Sequence, residues 1–154
     1  MQVFFPTTSE TAQAVCGYEV SASHCYSQDT VRAVCDRIEP CRSFDNSIPR
    51  LTWWDHKSTE EWVAYTLPEP EEVSGVDVYW YEDEPVGNCR LPENWNVQVR
   101  ASPTTPWTNV ATSLPVSKDR YNTVHFTAQK IHAIRLQVKL RPKYSGGILE
   151  WKLR

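Results

Sequence analysis

At 154 residues the chain is long enough to bury one real hydrophobic core as a single domain. Charged residues are 23% and the formal net charge is −3, so there is no polybasic footprint for nucleic acid or an anionic membrane surface. No apolar stretch approaches the roughly 18 residues of a membrane span and no signal-peptide apolar core follows Met1, so Met1 begins either a cytosolic protein or an excised domain; the second is expected, because a lone module is more often part of a larger chain.

Taken in order, residues 3–5 form a short apolar start ending at Pro6, and residues 18–22 read as the first clear strand. Residues 29–37 carry a cap-like Asp29 followed by Val31, Val34 and Cys35, compatible with one or two helical turns that Pro40 closes. Residues 42–57 read as a long polar-aromatic loop. From there the pattern is strand. Residues 61–67 stop at Pro68, and residues 73–81 put Val76, Val78 and Trp80 on one face. An acidic loop at 82–93 leads to a strand with Trp95, Val97 and Val99 on a shared face. After a loop at 101–106, strands are expected at 107–110, 123–126, 133–140 and 148–153. Short spacing, turn-rich links and seven Trp with seven Tyr and eleven Pro predict an all-β, eight-stranded jelly-roll β-sandwich. The domain spans 1–154, with its core in 18–154.

Five cysteines are an odd number, so at least one is free or pairs between chains. No C-x-x-C spacing occurs, which argues against zinc. Cys35 and Cys41 are near enough to close a short disulfide loop, but spacing leaves the pairing open.

Little in the chain reads as a reaction centre. A glycosidase needs two carboxylates about 5–10 Å apart, and Asp55, Glu60, Glu61, Asp83 and Glu84 fall in solvated-looking loops. No G-x-S-x-G, H-E-x-x-H or phosphate-cradling glycine loop is present. The domain is therefore expected not to be an enzyme. The run Trp53-Trp54-Asp55-His56 is more informative, because flat rings beside hydrogen-bonding groups suit a sugar, whose faces are partly C–H and whose rim is hydroxyl. Alternation in an extended segment turns Trp53 inward and Trp54 outward with Asp55 and His56. Arg90 offers a planar fork for adjacent hydroxyls on a proline-stiffened loop. Tyr144 stands on a flexible turn before the last strand, where it is either a stacking platform or a turn cover. Asp36, Ser43, Asp45 and Glu150 are hard-oxygen groups of the kind that surround calcium. Glu150 lies in an otherwise apolar strand and needs a partner if buried.

The stretches 47–57, 61–65, 76–80, 89–95, 118–122 and 147–151 together resemble the discoidin, or coagulation factor V/VIII type C, superfamily of galactose-binding-like modules. Among these the chain looks most like the C-terminal module of β-L-arabinofuranosidase-type glycoside hydrolases. The resemblance implies loops at one end of a sandwich that hold a galactose- or arabinose-like carbohydrate. His56, Arg90 and Tyr144 match the positions its sugar-binding members use, with Trp54, Asp55 and Asn122 as further contacts. It also implies a structural calcium held by Asp36, Ser43 and Glu150, although Arg37 replaces the usual glycine of the metal turn. The expected function is a non-catalytic carbohydrate-binding module of a secreted or periplasmic glycoside hydrolase, partnered by its catalytic domain and by neither nucleic acid nor membrane. The rivals are a structural domain that docks on that catalytic domain without binding sugar, and a protein-adhesion discoidin domain.

Overall fold

The computed structural model describes residues 10–112 and 114–154. The apolar start expected at 3–5 lies outside them. The elements are β1 (Glu10–Gln13), β2 (Glu19–Ala22), a 3-10 turn (Val31–Cys35), β3 (Leu51–Thr52), β4 (Glu60–Tyr81), β5 (Asn94–Arg100), β6 (Thr108–Ala111), β7 (Tyr121–Lys139) and β8 (Gly147–Leu153). All strand pairs are antiparallel. The all-β jelly-roll sandwich expected from the strand pattern is the fold observed.

Two long strands build both layers. The first half of β4 pairs with β2 and with the second half of β7, which continues to β5 and β6. The second half of β4 pairs with β8 and with the first half of β7, and β3 joins β8. The ladder between β4 and β7 breaks between Thr66 and Glu71, where Pro68 and Pro70 supply no N–H. Proline therefore marks the passage between layers and does not end the strand. The separate strands expected at 61–67 and 73–81 are one element, as are those at 123–126 and 133–140.

Alternation sets the core. Val76, Val78 and Trp80 from β4 and Trp95, Val97 and Val99 from β5 are each at most 1% exposed. Aromatic pairs lock one layer to the other. Tyr65 stacks on Trp151 at 3.8 Å and donates its hydroxyl to the Trp151 carbonyl, while Trp80 meets Trp95 edge-on at 5.2 Å. A second cluster, Tyr79, Tyr81, Cys89 and Leu149 with Phe44, Ile48, Trp54 and Tyr121, covers the outer side of the second layer. The loop leading to β3 thus lies against that layer, which carries Trp54 to the open end.

Thr30, not Asp29, caps the 3-10 turn by accepting from the Arg32 N–H. Cys35 pairs with Cys16 across 5.6 Å between Cα atoms, which excludes the Cys35–Cys41 bridge. Cys25 and Cys89 are buried thiols and Cys41 is an exposed one.

Candidate functional site

Three loops meet at one end of the sandwich. Trp53 N–H donates to the Gly146 carbonyl, Ser58 N–H to Tyr144, Arg90 N–H to Ser145, and Ser145 N–H to Asn88. These bonds fasten the β3–β4, β4–β5 and β7–β8 connections to one another. Trp53 is fully buried and anchors the first of them, while Trp54 and His56 are half-buried and Asp55 is exposed, three outward residues in a row because the segment is a turn and not an extended strand.

Trp54 forms one wall of a cleft of ≈ 230 Å³, with Tyr26 and Tyr81 as its other aromatic surfaces. Asp29, Arg50, Thr52, Asp83 and Asn88 supply its polar lining. The Arg50 guanidinium lies 4.7 Å from the Tyr81 ring centroid, and its Nε is 3.7 Å from Asp29 Oδ1. Thr52 donates its hydroxyl to Asp29. Burial pushes the Asp29 carboxyl above its ordinary range, with the Thr52 hydrogen bond and the Arg50 charge acting the other way. On the opposite lip, Asp83 accepts the Cys89 N–H at 2.8 Å, and Tyr81 donates its hydroxyl to Asp83 at 3.4 Å. Gly87 packs so tightly on the Asp83 carboxyl that any side chain there would collide with it. Each cleft carboxylate is thus already engaged by neighbours. Aromatic faces with fixed polar groups between them suit a ring that is apolar on its faces and hydroxylated at its rim.

His56 stands beside this cleft in a fixed orientation. Its Nδ1 lies 2.9 Å from Glu61 Oε2, and a carboxylate only accepts, so the proton sits on Nδ1. Glu61 is 3% exposed and also accepts the Ser23 hydroxyl at 2.6 Å. The His56 ring stacks on His24 at 3.7 Å, and His24 Nε2 donates to the Trp54 carbonyl at 2.9 Å. Glu61 and Asp83 are thus structural acceptors and not solvated loop charges as the sequence suggested. Tyr26, Asp29, Arg50, Ser23 and His24 were missed as site residues. Arg50 lies in the 47–57 run but was not singled out as a contact; the others carry no local motif, and all come together only through the pairing of β2 with β4 and of β3 with β8.

Arg90 and Tyr144 do meet. The guanidinium is 4.4 Å from the Tyr144 ring centroid, and its Nη1 donates to the carbonyls of Gly87 and Cys89. Asp83 and Glu84 lie 3.5 and 3.6 Å away. At 9% exposure Arg90 clamps its own loop from behind the cleft, and neither it nor Tyr144 lines the cleft. Asn122 stands apart from both groups. It is 3% exposed, its Nδ2 donates to the carbonyls of Val78, Ser117 and Arg120, and its Oδ1 accepts the Ser117 N–H. Its amide is fully used in holding the turn before β7, which corrects its expected role as a sugar contact.

The metal set is brought together in part. Glu150 is 2% exposed, with Oε2 accepting the Arg37 N–H and Oε1 buried without a partner. Burial, then the neighbouring Asp36 carboxyl, pushes Glu150 up to about 9. Arg37 adopts φ 66°, the left-handed backbone that glycine favours, so the turn keeps its shape despite the arginine. Ser43 does not fit the set. Its hydroxyl accepts the Asp119 N–H and its carbonyl accepts the Glu82 N–H. Asp45 is also committed, to Ser47 and the Cys41 N–H. Among the described residues no group of three or more His, Cys, Asp or Glu side chains is arranged to hold a metal ion.

This fold is that of galactose-binding-like carbohydrate-binding modules. No protein-family model matches the sequence, and no curated protein matches it. Solved structures do. Chitosan-binding module 1 of the chitosanase/glucanase from Paenibacillus sp. IK-5 superposes with a TM-score of 0.67 at 17% identity, covering 88% of this chain and 92% of that one. The Streptococcus pneumoniae β-galactosidase BgaA gives 0.70 at 19%, covering 86% and 88%. The family 32 carbohydrate-binding module of C. perfringens NanJ, solved with galactose, gives 0.64 at 14%, covering 87% and 90%. At these identities the likeness establishes the fold.

Proposed function

We propose that the domain is a non-catalytic carbohydrate-binding module that takes a sugar in the cleft of Tyr26, Trp54 and Tyr81. The observation that carries this reading is the cleft itself, at the end where the loops converge. Three aromatic walls there surround an arginine already oriented by Tyr81 and Asp29. A sugar's C–H face lies on Trp54, while Arg50, Asn88 and the free lone pairs of Asp29 and Asp83 take its hydroxyls. His56 and Asp55 border the site. Arg90 and Tyr144 hold the lip in place. Affinity is modest, because each exposed polar contact returns only about 1 kcal/mol after desolvation.

The likeness to modules described as binding chitosan or galactose supports a sugar ligand. The run 47–57 supports a galactose- or arabinose-configured one and a parent enzyme of the β-L-arabinofuranosidase type. The Cys16–Cys35 bridge supports a secreted or periplasmic setting. A structural calcium belongs to the same reading, held by Asp36 and Glu150 without Ser43. Its support is the unpartnered Glu150 oxygen beside a second carboxylate, where a cation would neutralise both.

A glycan array probed with the domain and with Trp54→Ala, each with and without a chelator, tests the proposal. Binding to galacto- or arabino-configured glycans that Trp54→Ala abolishes is the expected result. An array blank with wild-type protein in calcium would defeat it.

A further inference from the structure

The outer side of the first layer carries a second polar-aromatic surface, built from residues that the cleft does not use. Alternation along β5 sends Trp95, Val97 and Val99 into the core and turns Asn96, Gln98 and Arg100 outward. Register sets Gln98 opposite Arg135 and Asn96 opposite Gln137 on β7, and sets Trp62 of β4 on the other side of Gln137. Trp107, which precedes β6, collects both arginines. The Arg100 and Arg135 guanidiniums each lie 4.5 Å from its ring centroid. Arg135 Nε donates to Gln98 Oε1 at 2.6 Å, and Gln98 Nε2 donates to Asn109 Oδ1 at 2.8 Å, so the row is rigid.

What sets this pair of cations apart is that both lie against one aromatic ring with no counter-charge between them. Arg50, Arg90, Arg154, Lys118, Lys139 and Lys152 each face a carboxylate, but among the described residues neither Arg100 nor Arg135 does. Burial, and then the Arg100 charge, holds the Arg135 guanidinium below its ordinary value, with no acidic group raising it. Arg100 Nε is buried without a partner among the described residues. A chain of net charge −3 has thus placed two planar cations side by side on a sheet face without neutralising either. Guanidiniums held flat by an aromatic ring are suited to fork onto carboxylates.

We propose that this face is a second glycan-binding surface, for a polysaccharide that carries carboxylates, such as a polyuronate. Arg100 and Arg135 take the uronate carboxylates, and half-buried Trp62, one outward position along at about 7 Å, provides an apolar plate for the next ring. Charge complementarity selects an anionic partner. Beyond the Trp62 and Trp107 rings the face offers no aliphatic patch for a protein contact, since among the described residues the exposed large hydrophobics, Val15, Ile38 and Val86, all lie off β4, β5 and β7. The proposal goes beyond the cleft reading and does not depend on it.

Affinity electrophoresis of the whole chain through gels containing polygalacturonate, dextran or poly-L-glutamate tests it. Retardation by polygalacturonate is expected, weakening as salt rises and at least tenfold weaker for the Arg100→Gln/Arg135→Gln double variant, with none by dextran. Should that variant melt early, Arg100→Lys/Arg135→Lys keeps the charge but loses the planar fork, and weakens retardation several-fold. No retardation at low salt, retardation unchanged in either double variant, or equal retardation by poly-L-glutamate would each overturn the proposal.

Discussion

His56 donates a hydrogen bond from Nδ1 to Glu61 across 2.9 Å, and Glu61 is itself buried and accepts the Ser23 hydroxyl. One carboxylate at the start of β4 therefore ties the segment after β2 to the loop that presents Trp54. Glu61→Ala leaves Ser23 and His56 without an acceptor and is expected to destabilise the fold by about 1.5–3 kcal/mol, the range for hydrogen bonds to a charged group. Urea unfolding reads this directly. A midpoint unchanged from wild type would show that the pair contributes nothing to the fold.

Arg90→Ala separates a clamp from a ligand contact. The side chain holds the Gly87 and Cys89 carbonyls and packs on Tyr144. Its removal is expected to lower stability by about 2 kcal/mol and to loosen the amides of residues 87–90, as read by hydrogen exchange. Lost sugar affinity with native stability and native exchange would make it a direct contact instead.

The Cys16–Cys35 bridge closes a loop with a sequence separation of 19, holding β1 and β2 to the 3-10 turn. In the chain-entropy picture a loop of that size is worth about 3 kcal/mol. Cys16→Ser, or reduction of the wild type, is expected to lower the unfolding free energy by that amount. A Cys41→Ser change is expected to leave it untouched.

The free thiols differ in reach. Burial pushes the Cys25 and Cys89 thiols up to about 12, while Cys41 is exposed. At pH 8 a thiol at about 12 is roughly one part in ten thousand thiolate. Iodoacetamide is therefore expected to modify Cys41 in the native protein, and Cys25 and Cys89 only after unfolding. Peptide mapping by mass spectrometry distinguishes the sites.

The strands were legible because burial on one face enforces alternation, and Trp95, Val97 and Val99 could hardly point elsewhere. Strand continuity was less so. Pro68 and Pro70 look like terminators, yet a strand that changes layers needs a place where its ladder lapses, and proline fits there. The site was half legible. Trp54 and His56 announce themselves in one run that also holds Arg50, but Tyr26 and Asp29 are ordinary residues until pairing brings their segments together. Arg90 illustrates the opposite case. Its residue type suggests a ligand fork, but the carbonyls that occupy it belong to its own loop and reach it only once that loop has folded.

Calcium is expected to raise the melting temperature of the wild type by several degrees over its value in chelator, because a bound ion stabilises the folded state by mass action. Glu150→Gln removes the carboxylate that a bound cation would draw out of its protonated state and is expected to abolish that difference, while Ser43→Ala preserves it. A wild-type melting temperature indifferent to calcium would remove the metal from the account.

Sugar binding in the cleft of Tyr26, Trp54 and Tyr81 is read most directly by an NMR titration of the 15N-labelled domain with galactose and arabinose. Saturable shifts of the Trp54 indole N–H and of the Asn88 side-chain amide are expected, with the core indoles of Trp80 and Trp151 unmoved. No shift with either sugar, or shifts confined to the residues around Tyr144 or Asn122, would contradict it.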